Sequence, residues 1–385
     1  MKPVPVTTLD ELVEGGAVQL TRGKIISKRD IAACPGNFPI YSSAKDNDGK
    51  FGEYGKSMFD EELITWSVDG GGRLFHRPKH KFSVTNVGGV LRIRDTSTLN
   101  YRYLYFVLTL RHSEINFDWV RKAHPSVIKR LYKAIPLPPL AEQQRLVGLL
   151  DEALEGLATA KANAEKNLKN ARAIFQSHLQ SVFTQRGPGW VETTIGEVAD
   201  VFDGPHATPK TVDAGPVFLG ISALQDGKIN LGETRHVTAE DFRHWTRRVK
   251  PRSDDVVFSY ETRLGQAAII PSGLECCLGR RMGLVRPNRK RLDPRFFVYQ
   301  YTSPPFRSFL DSRTVRGATV DRIALKEFPS FPISLPKLDE QERMADQFET
   351  LQEETQLLAR LYESKLTALE ALKKSLLHQA FTGAL

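Results

Sequence analysis

Residues 135–145 read IPLPPLAEQQR, and residues 333–343 read ISLPKLDEQER, the same pattern displaced by 198 positions. The same displacement aligns SHLQSVFT at 177–184 with SLLHQAFT at 375–382, so two segments of about 47 residues correspond without a gap. Similarity at one fixed spacing is the mark of an internal repeat. The chain therefore contains a duplicated segment, and we expect the two copies to adopt the same structure.

The regions before the duplicated segments begin alike but differ in length. TTLDELVEGG starts at residue 7 and TTIGEVADVFDG at residue 193, a displacement of only 186. The blocks between have thus diverged by about a dozen residues, whereas the segments after them have not. We divide the chain into a variable block at 1–139, a constant segment at 140–186, a second variable block at 187–337 and a second constant segment at 338–385.

Both constant segments have the pattern of a long helix. They contain no proline, and apolar residues recur mostly three or four positions apart, from Leu146 to Val182 and from Met344 to Ala380. At 1.5 Å per residue, a helix of about 43 residues is about 65 Å long. Because neither helix could bury its apolar stripe alone, we expect the two helices to pack against each other as a coiled coil.

Each variable block predicts a mixed α/β module, in which short β-prone runs alternate with turns rich in Gly and Asp. An aromatic segment of helical pattern, a proline-containing stretch and the long helix follow. In the first block these segments are EELITWSV (61–68), KFSVTNVGGVLRIR (81–94) and the helix NYRYLYFVLTL (100–110). In the second they are PVFLGISAL (216–224), DDVVFSY (254–260), QAAIIPSG (266–273), RMGLVRP (281–287) and the helix DPRFFVYQYT (293–302). The predicted fold class is α+β.

Composition places the chain among ordinary globular proteins, since 41% of its 385 residues are hydrophobic and 26% are charged. No run of about 18 apolar residues occurs, which predicts no membrane-spanning helix. The N-terminus MKPVPVTTLDELVEGG has no apolar signal-peptide core. The three cysteines, Cys34, Cys276 and Cys277, lack metal-ligand spacing. We therefore expect the adjacent pair, Cys276 and Cys277, to be two buried thiols, and we expect a reducing compartment, the cytoplasm.

The net charge of +9 is unevenly distributed. The variable blocks carry the excess, with +7 within 1–139 and +6 within 185–337. The stretch 140–184 is neutral, and 338–385 carries −4. Concentrated basic charge is typical of surfaces that bind phosphates. A basic surface that is merely solvated is the alternative.

The motifs of common enzyme classes are missing from the sequence. There is no GxxxxGK phosphate loop, no dinucleotide fingerprint that opens a helix, no Asn/Asp-Pro-Pro-aromatic tetrapeptide of amino-methyltransferases and no nuclease core. His76 and His80 are four residues apart, but Pro78 between them forbids the helical face that a metal would need. The sequence predicts no catalytic residue and no metal site.

The second block offers residues suited to DNA contacts. In DGPHATPK (203–210) a Gly-Pro turn projects short polar groups beside a lysine, although an ordinary surface turn has the same composition. FSYETRLGQAAI (258–269) places Arg and Gln, which read guanine and adenine edges, around a turn between two strands. The candidates are His206, Thr208, Lys210, Tyr260, Thr262, Arg263, Gln266, Arg280, Arg281, Arg313, Arg316 and Thr319. The run Arg289-Lys290-Arg291 is interpreted as a solvated cluster.

The first block is less explicit. YSSAKDND (41–48) is a polar loop, VDGGGR (68–73) is a turn that ends in an arginine, and residues 121–126 predict a basic loop where the second block has RGATV. Trp66 is interpreted as a core residue in preference to a stacking platform. The candidate DNA contacts are Ser43, Lys45, Asn47, Arg73, Arg121, Lys122, His124 and Ser126.

With two variable modules separated by matched helices, the chain resembles the specificity subunits of type I restriction–modification systems. The likeness rests on the doubled LP-x-L-x-EQ-x-R pattern, on the helix ends SVFTQ and QAFTG, on DGPHATPK and on RGATVDRIALKEFPSFPISLP. It covers essentially the whole chain. One departure concerns the first module, which has KAHPSVIKRLYKAIPLP where the family commonly has a loop of Gly, Ser or Ala, and Thr.

The resemblance implies that each variable block is a target recognition domain for one half of a split, asymmetric site on double-stranded DNA. The two long helices would then be antiparallel, separate the half-sites and dock two modification subunits, with a pseudo-twofold relation between the repeats. It implies no cofactor on this chain, S-adenosylmethionine on the modification subunits, and ATP and Mg on restriction/translocase subunits. The predicted partner-binding residues are Glu142, Gln143, Arg145, Glu340, Gln341 and Arg343.

Three other interpretations remain open. The chain could serve a type IIB-like system, in which methylation and cleavage share one partner chain, and the identity of that partner distinguishes it from type I. A coiled-coil scaffold whose blocks bind proteins would lack salt-sensitive binding to duplex DNA. A free-standing enzyme ranks third, because the motifs of common enzymes are missing.

Overall fold

The computed structural model describes residues 4–43, 47–69, 71–115, 122–225, 227–317 and 320–382. The chain divides into two compact units. The first unit comprises Met1–Ala164 and Ser364–Leu385, and the second comprises Glu165–Glu363. Each unit therefore contains one variable module and a part of each long helix. This confirms the α+β class and the internal repeat.

The first unit begins with a module of strands and short helices. Its elements are β1 Val6–Thr7, α1 Leu9–Glu14, β2 Val18–Arg22, α2 Lys28–Ala33, β3 Phe38–Tyr41, β4 Lys50–Tyr54, β5 Phe59–Ser67, β6 Leu74–Val84, β7 Gly88–Ile93, α3 Tyr101–Glu114, α4 Pro125–Leu131 and β8 Ile135–Pro136. The first long helix, α5, runs from Leu140 to Gln185.

The second unit contains the other module. Its elements are β9 Val191–Thr194, α6 Ile195–Val198, β10 Ala199–Asp203, β11 Val212–Leu219, β12 Leu224–Gln225, β13 Lys228–Ile229, β14 Arg235–His236, α7 Ala239–Trp245, β15 Val256–Ser259, β16 Ala267–Ile269, β17 Cys276–Leu278, β18 Met282–Pro287, α8 Pro294–Thr302, α9 Pro304–Ser312, β19 Thr314–Val315, β20 Arg322–Ile323 and β21 Pro332–Leu335. The second long helix, α10, runs from Leu338 to Thr382.

The two modules have related strand orders, built into one six-stranded sheet in the first module and into a four-stranded and a three-stranded sheet in the second. In the first, six strands follow the order β2-β7-β5-β6-β3-β4, with β3 parallel to β6. In the second, β10-β18-β15-β16 repeats the first four positions, and β17 pairs in parallel with β11, which pairs with β14. The short strands β16 and β17 together thus occupy the place of the long strand β6. The repeat therefore extends to the modules, whose sequences have diverged.

Each module closes its ends in the same way. Its first strand pairs with its last, β1 with β8 and β9 with β21. A capping box follows the first strand, in which a threonine and the glutamate three residues later bond reciprocally, Thr8 with Glu11 and Thr194 with Glu197. The two ends of each module therefore lie side by side where the long helix begins.

An aromatic helix joins each module to the long helices. In the first unit, the ring of Phe381 near the end of α10 meets Tyr103 of α3, with centroids 5.4 Å apart. In the second unit, Phe183 near the end of α5 meets Phe296 of α8 at 5.5 Å. Phe183 and Phe381 are partners in the 198-residue repeat. Both predicted aromatic helices are confirmed, and each packs against the end of a long helix.

The long helices run antiparallel in each unit. In the first, Lys161 of α5 forms an ion pair with Glu370 of α10 at 2.5 Å. In the second, Arg172 pairs with Glu363 at 2.6 Å. In the first unit, Leu150 also shares a core cluster with Leu377, and in the second the rings of His178 and Phe348 are 5.8 Å apart. Within each unit, contacting positions thus rise along α5 while they fall along α10. Within the part of the chain that the structure describes, no helix is both long enough and apolar enough to cross a bilayer.

The interior contains the two adjacent thiols that the sequence predicted to be buried. Cys276 and Cys277 lie on β17 with no exposed surface. Burial raises the pKa of Cys276 to about 12 and that of Cys277 to about 11, because a thiolate is poorly solvated there. Both cysteines therefore act as packing residues, and neither side chain has reactive character.

Candidate nucleic-acid interface

The loop after β10 carries the first group of candidates in the second unit. Gly204 donates its N–H to the carbonyl of Met282 at 3.0 Å, and a Cβ at this glycine would lie 2.3 Å from that oxygen. The close approach turns the chain outward, so that His206, Thr208 and Lys210 are exposed. The predicted projection of these three side chains is therefore present.

Tyr260 does not join that surface. It is 5% exposed, and its hydroxyl donates to Asp203 Oδ1 at 3.1 Å, while Asp203 Oδ2 contacts His206 Nε2 at 2.8 Å. Burial, and then the nearby Asp203 carboxylate, raise the pKa of Tyr260 well above its ordinary value. We therefore correct this prediction, since Tyr260 anchors the loop from inside and offers no surface for DNA.

The turn between β15 and β16 is held by arginines. Arg263 Nη1 donates to the carbonyls of Ile221 and Ser222 at 3.1 and 3.0 Å. Arg281 Nε lies 3.0 Å from Glu261 Oε2, and Arg281 Nη1 donates to Thr262 Oγ1 at 3.3 Å. Both Arg263 and Arg281 therefore fix loops in addition to contributing positive charge.

A cleft of about 330 Å³ opens beside this turn. Its lining residues are Thr208, Phe218, Gly220, Ile221, Ser222, Glu233, Arg235, Arg280 and Arg281. The cleft unites three predicted residues, Thr208, Arg280 and Arg281, with Arg235, which the sequence analysis missed. Arg235 lies on a two-residue strand, and no periodicity or motif marked it. Three arginines line the cleft against one glutamate, and because only Arg281 among them is also paired within the described residues, with Glu261, an excess of positive charge remains.

Gln266 faces elsewhere. It lines a separate cavity of about 600 Å³ that also includes Phe175 of α5, Tyr299 of α8 and Gln352 of α10. The structure therefore does not bring Gln266 to the arginine cleft, although both belong to one turn in the sequence. The reason is that Gly265 takes a φ of +78°, which turns the chain immediately before this residue.

The hairpin of β19 and β20 extends the surface around the turn. The N–H of Thr262 donates to the carbonyl of Asp321 at 3.1 Å, which ties the hairpin to the β15–β16 turn. Arg313, immediately before β19, and Arg316, immediately after it, are both exposed. Thr319 lies outside the described residues. The predicted basic loop thus adjoins the other candidates of the second unit.

In the first unit, a loop cluster joins candidates that are distant in sequence. Ser43 Oγ accepts from the N–H of Asp69 at 3.2 Å, and Lys122 Nζ lies 3.4 Å from Asp69 Oδ1. His124 Nδ1 lies 3.5 Å from Arg22 Nη1. Arg22, an exposed residue at the end of β2, was missed because nothing in its sequence context sets it apart. Lys45 and Arg121 lie outside the described residues.

The segment predicted as a basic loop at 121–126 is partly helical. α4 begins at Pro125, with His124 at the position before it, so that exposed Ser126 lies in the first turn. Proline at the first helical position was the available signal. Trp66 is confirmed as a core residue, because it is 1% exposed and its Nε1 donates to the Ala123 carbonyl at 2.7 Å.

Two further candidates of the first unit are exposed at separate turns. Arg73 precedes β6, and its guanidinium lies 5.3 Å from the ring centroid of Phe75. Asn47 has a φ of 50°, in the left-handed region. Among the described residues, no group of three potential metal ligands lies together.

The glutamines of the repeated EQ pattern are structural. Gln143 is fully buried, its Oε1 accepts from the Asn100 N–H at 3.0 Å, and its Nε2 donates to the carbonyls of Thr98 and Pro138, both at 2.9 Å. Asn100 caps α3. The side chain therefore fastens the start of α5 to the start of the aromatic helix.

Gln341 repeats this network in the second unit. Its Oε1 accepts from the N–H of Asp293, the cap of α8, at 3.0 Å, and its Nε2 donates to the carbonyls of Arg291 and Pro336 at 3.0 and 2.9 Å. We therefore withdraw Gln341 and Gln143 from the predicted partner surface, because both side chains are enclosed by their own unit.

The charged neighbours of these glutamines remain candidates for partner contacts. Arg145 makes two hydrogen bonds to Glu142, both at 2.8 Å, and Arg343 lies 3.5 Å from Glu340. All four side chains are at least 37% exposed. The hydrogen bonds from Arg145 lower the pKa of the Glu142 carboxyl, which keeps this pair charged.

Comparison with known sequences yields a family match and several relatives. A family model described as type I restriction modification DNA specificity domain matches residues 1–169 and 188–364. The type I restriction enzyme MjaVIII specificity subunit of Methanocaldococcus jannaschii is 24% identical over 341 residues, 83% of this chain and 78% of that protein. The EcoBI specificity subunit of Escherichia coli is 23% identical over 74% of this chain and 66% of its own length.

A shorter match involves a putative type I specificity subunit, S.MpnORF285P of Mycoplasma pneumoniae, which is 29% identical over 135 residues. The alignment covers 34% of this chain and 44% of that protein. The chain thus spans less than two thirds of the length of this relative and of the E. coli relative.

Two solved structures share the fold. A chain from a study of complex assembly and conformational transition of the type I R-M system aligns over 100% of both chains, with a TM-score of 0.67 and 19% identity. The HsdS subunit from Thermoanaerobacter tengcongensis gives a TM-score of 0.59 with 18% identity, over 96% of this chain and 97% of that one. At these identities the similarity establishes the architecture.

Proposed function

Because the chain belongs to the family of type I restriction-modification DNA specificity domains, we propose that it selects the DNA sequence on which such a complex acts. Each module reads one half of a two-part, asymmetric site on double-stranded DNA. The long helices separate the two halves and dock two modification subunits. The chain contributes recognition, and its partner subunits contribute catalysis.

The observation that carries this proposal is one framework that presents two different sets of side chains. The modules share strand order, closed ends and a glutamine-anchored helix start. On this common frame, the second module presents the cleft of Arg235, Arg280 and Arg281. The first presents Arg22 and Lys122 in a different loop cluster. Different contacts on equivalent frames favour two different half-sites, and hence an asymmetric target.

The distribution of charge supports the proposal that the modules bind DNA and the long helices bind partner subunits. Arginine and lysine at phosphates supply affinity, whereas a few polar side chains at base edges supply sequence choice. The positive excess lies in the modules, and the helical segments are neutral or acidic. We propose half-sites about one helical turn, near 10 bp, apart from centre to centre. The exposed Glu142–Arg145 and Glu340–Arg343 pairs are proposed to contact the modification subunits.

The remaining components are assigned to other chains of the complex. S-adenosylmethionine belongs on the modification subunits, and ATP and Mg belong on the restriction/translocase subunits. The unpaired cysteines support a reducing location, the cytoplasm.

The test is single-molecule sequencing of methylated bases in a host that expresses this chain with its modification subunit. We expect a split motif with methyladenine in each half, present with the chain and absent without it. A host that expresses the modification subunit alone is the control. A methylation pattern that is identical with and without the chain would contradict the proposal and favour the scaffold interpretation.

A further inference from the structure

Arg77 in the first unit is an arginine almost without solvent contact. It lies on β6 and is 1% exposed. Its Nε donates to Thr65 Oγ1 at 3.1 Å, its Nη1 donates to Asp48 Oδ2 at 2.6 Å, and its Nη2 donates to the Asp48 carbonyl at 2.7 Å. Arginine is rarely buried to this extent unless it is paired. Because it is enclosed, Arg77 is not available to contact DNA itself.

The planar guanidinium is also packed between aromatic rings. It lies 3.5 Å from the ring centroid of Tyr41 and 4.8 Å from that of Phe75. A Cβ at Gly49 would lie 3.2 Å from Arg77 Nη2, so this glycine packs closely on the same group. A lysine has neither the flat face nor the forked donors that this site uses.

These contacts lie at both ends of the polar segment 42–47, which contains predicted DNA contacts. Tyr41 precedes the segment, and Asp48 follows it. The N–H of Ser42 donates to the carbonyl of Gly49 at 2.9 Å, which brings the two ends together. Arg77 therefore contacts the residues on both sides of this segment, Tyr41 and Asp48.

The end of this loop has an unusual backbone. Asn47, Asp48 and Gly49 have φ values of 50°, 53° and 75°, three successive residues in the left-handed region. Non-glycine residues adopt this region at a cost, and it persists where surrounding contacts enforce it. The Asp48 side chain is 74% exposed, so few of its contacts can hold its backbone in this conformation. The buried guanidinium of Arg77, which binds both the side chain and the carbonyl of Asp48, provides such a contact.

We propose that Arg77 is a positioning residue for the first half-site, which fixes Asn47 against the DNA by holding Asp48. The inference rests on the proposed function, because it assumes that the first module reads bases. It assigns part of the sequence choice to a side chain that touches no base. The alternative is that the Arg77–Asp48 pair only stabilises the module.

The test compares two substitutions of the exposed partner in the full complex. Asp48→Gly permits a positive φ but removes the carboxylate, whereas Asp48→Asn also tolerates a positive φ and keeps an acceptor for Arg77. The methylated motif is mapped for each variant. We expect Asp48→Gly to reduce base discrimination about tenfold in one half-site and leave the other unchanged. Asp48→Asn is expected to keep wild-type discrimination.

Arg77→Lys and Arg92→Lys form a second, matched comparison. Arg92 makes two hydrogen bonds to Glu61 at 2.8 and 2.6 Å in the same sheet, and among the described residues its hydrogen bonds do not involve Tyr41, Asp48 or Gly49. We expect Arg77→Lys to relax the same half-site as Asp48→Gly, and Arg92→Lys to leave both half-sites unchanged. Thermal unfolding of each variant shows whether it folds. If Arg77→Lys does not fold, the comparison of Asp48→Gly with Asp48→Asn tests the inference alone.

Unchanged discrimination in Asp48→Gly would overturn the inference, and so would equal relaxation of both half-sites. A wild-type complex without a two-part methylated motif would instead contradict the proposed function. The two failures are therefore distinguishable within one set of experiments.

Discussion

Single residues explain why the EQ pattern recurs in the sequence. Gln143 and Gln341 make the same three hydrogen bonds, each to the capped start of an aromatic helix and to the proline stretch before a long helix. A buried amide with all its partners fixes one geometry, and its removal leaves several backbone groups unsatisfied. The pattern is therefore a joint between module and helix.

We expect Gln143→Ala to destabilise the first unit by about 2–4 kcal/mol, because one buried and two part-buried backbone groups lose their partner. Gln144→Ala is the matched control, since its side chain is exposed on the next position and its substitution should change stability by less than about 0.5 kcal/mol. Chemical denaturation of both variants provides the measurement. Equal stability of the two would contradict the role assigned to Gln143.

The arginines of the cleft allow a prediction about affinity. Each phosphate contact releases counterions, so loss of one contact reduces the slope of log K against log salt by about 0.9. We expect Arg235→Gln and Arg280→Gln each to reduce the slope by about this amount in the complete complex. Arg289→Gln is the control, because Arg289 pairs with Asp254 and does not line the cleft. Titrations of duplex DNA at several salt concentrations measure the slopes, and unchanged slopes would remove the cleft from the interface.

At the scale of elements, the aromatic helices are the contact between each module and the long helices. Tyr103 of α3 packs against Phe381 at the end of α10, and Phe296 of α8 packs against Phe183 at the end of α5. Each long helix is thus anchored in one unit at its beginning, through a glutamine, and in the other at its end, through a phenylalanine. The two anchors repeat at the same displacement.

We expect Phe381→Ala and Phe183→Ala each to cost about 3–5 kcal/mol, since both rings are nearly enclosed and leave a cavity. Leu372→Ala is the control on α10, because Leu372 is 47% exposed. Thermal unfolding measures the differences. If Leu372→Ala lowered the free energy of unfolding as much as Phe381→Ala, the aromatic contact would not be a principal source of stability.

At the scale of the whole molecule, the proposed function makes helix length a determinant of the target. Removal of seven residues from each long helix, at the level of the Lys161–Glu370 ion pair, shortens each by about 10 Å and keeps the repeat of the seam. We expect the gap between half-sites to shrink by about three base pairs, with the half-site sequences unchanged. Mapping of the methylated motif measures both. Altered half-sites, or an unchanged gap, would contradict the proposed spacer.

The repeat, both long helices and most strands could be predicted from the sequence, because periodicity and constant displacement are local signals. The side of a loop on which a residue lies could not. Tyr260 is enclosed because Asp203, far away in sequence, meets its hydroxyl, and Gln266 turns away because Gly265 reverses the chain. Such outcomes depend on how distant segments pack, which one sequence does not display.

The pairing of first and last strands has a consequence for how such a chain changes over generations. Because the two ends of a module are neighbours, the module resembles an inserted domain, whose replacement leaves the remainder of the fold undisturbed. Two genetic crossovers, one at each end, would transfer a complete reader between genes. If the modules read DNA as proposed, such paired joints would let a population of cells acquire a new DNA specificity by recombination, with no need to evolve a new fold.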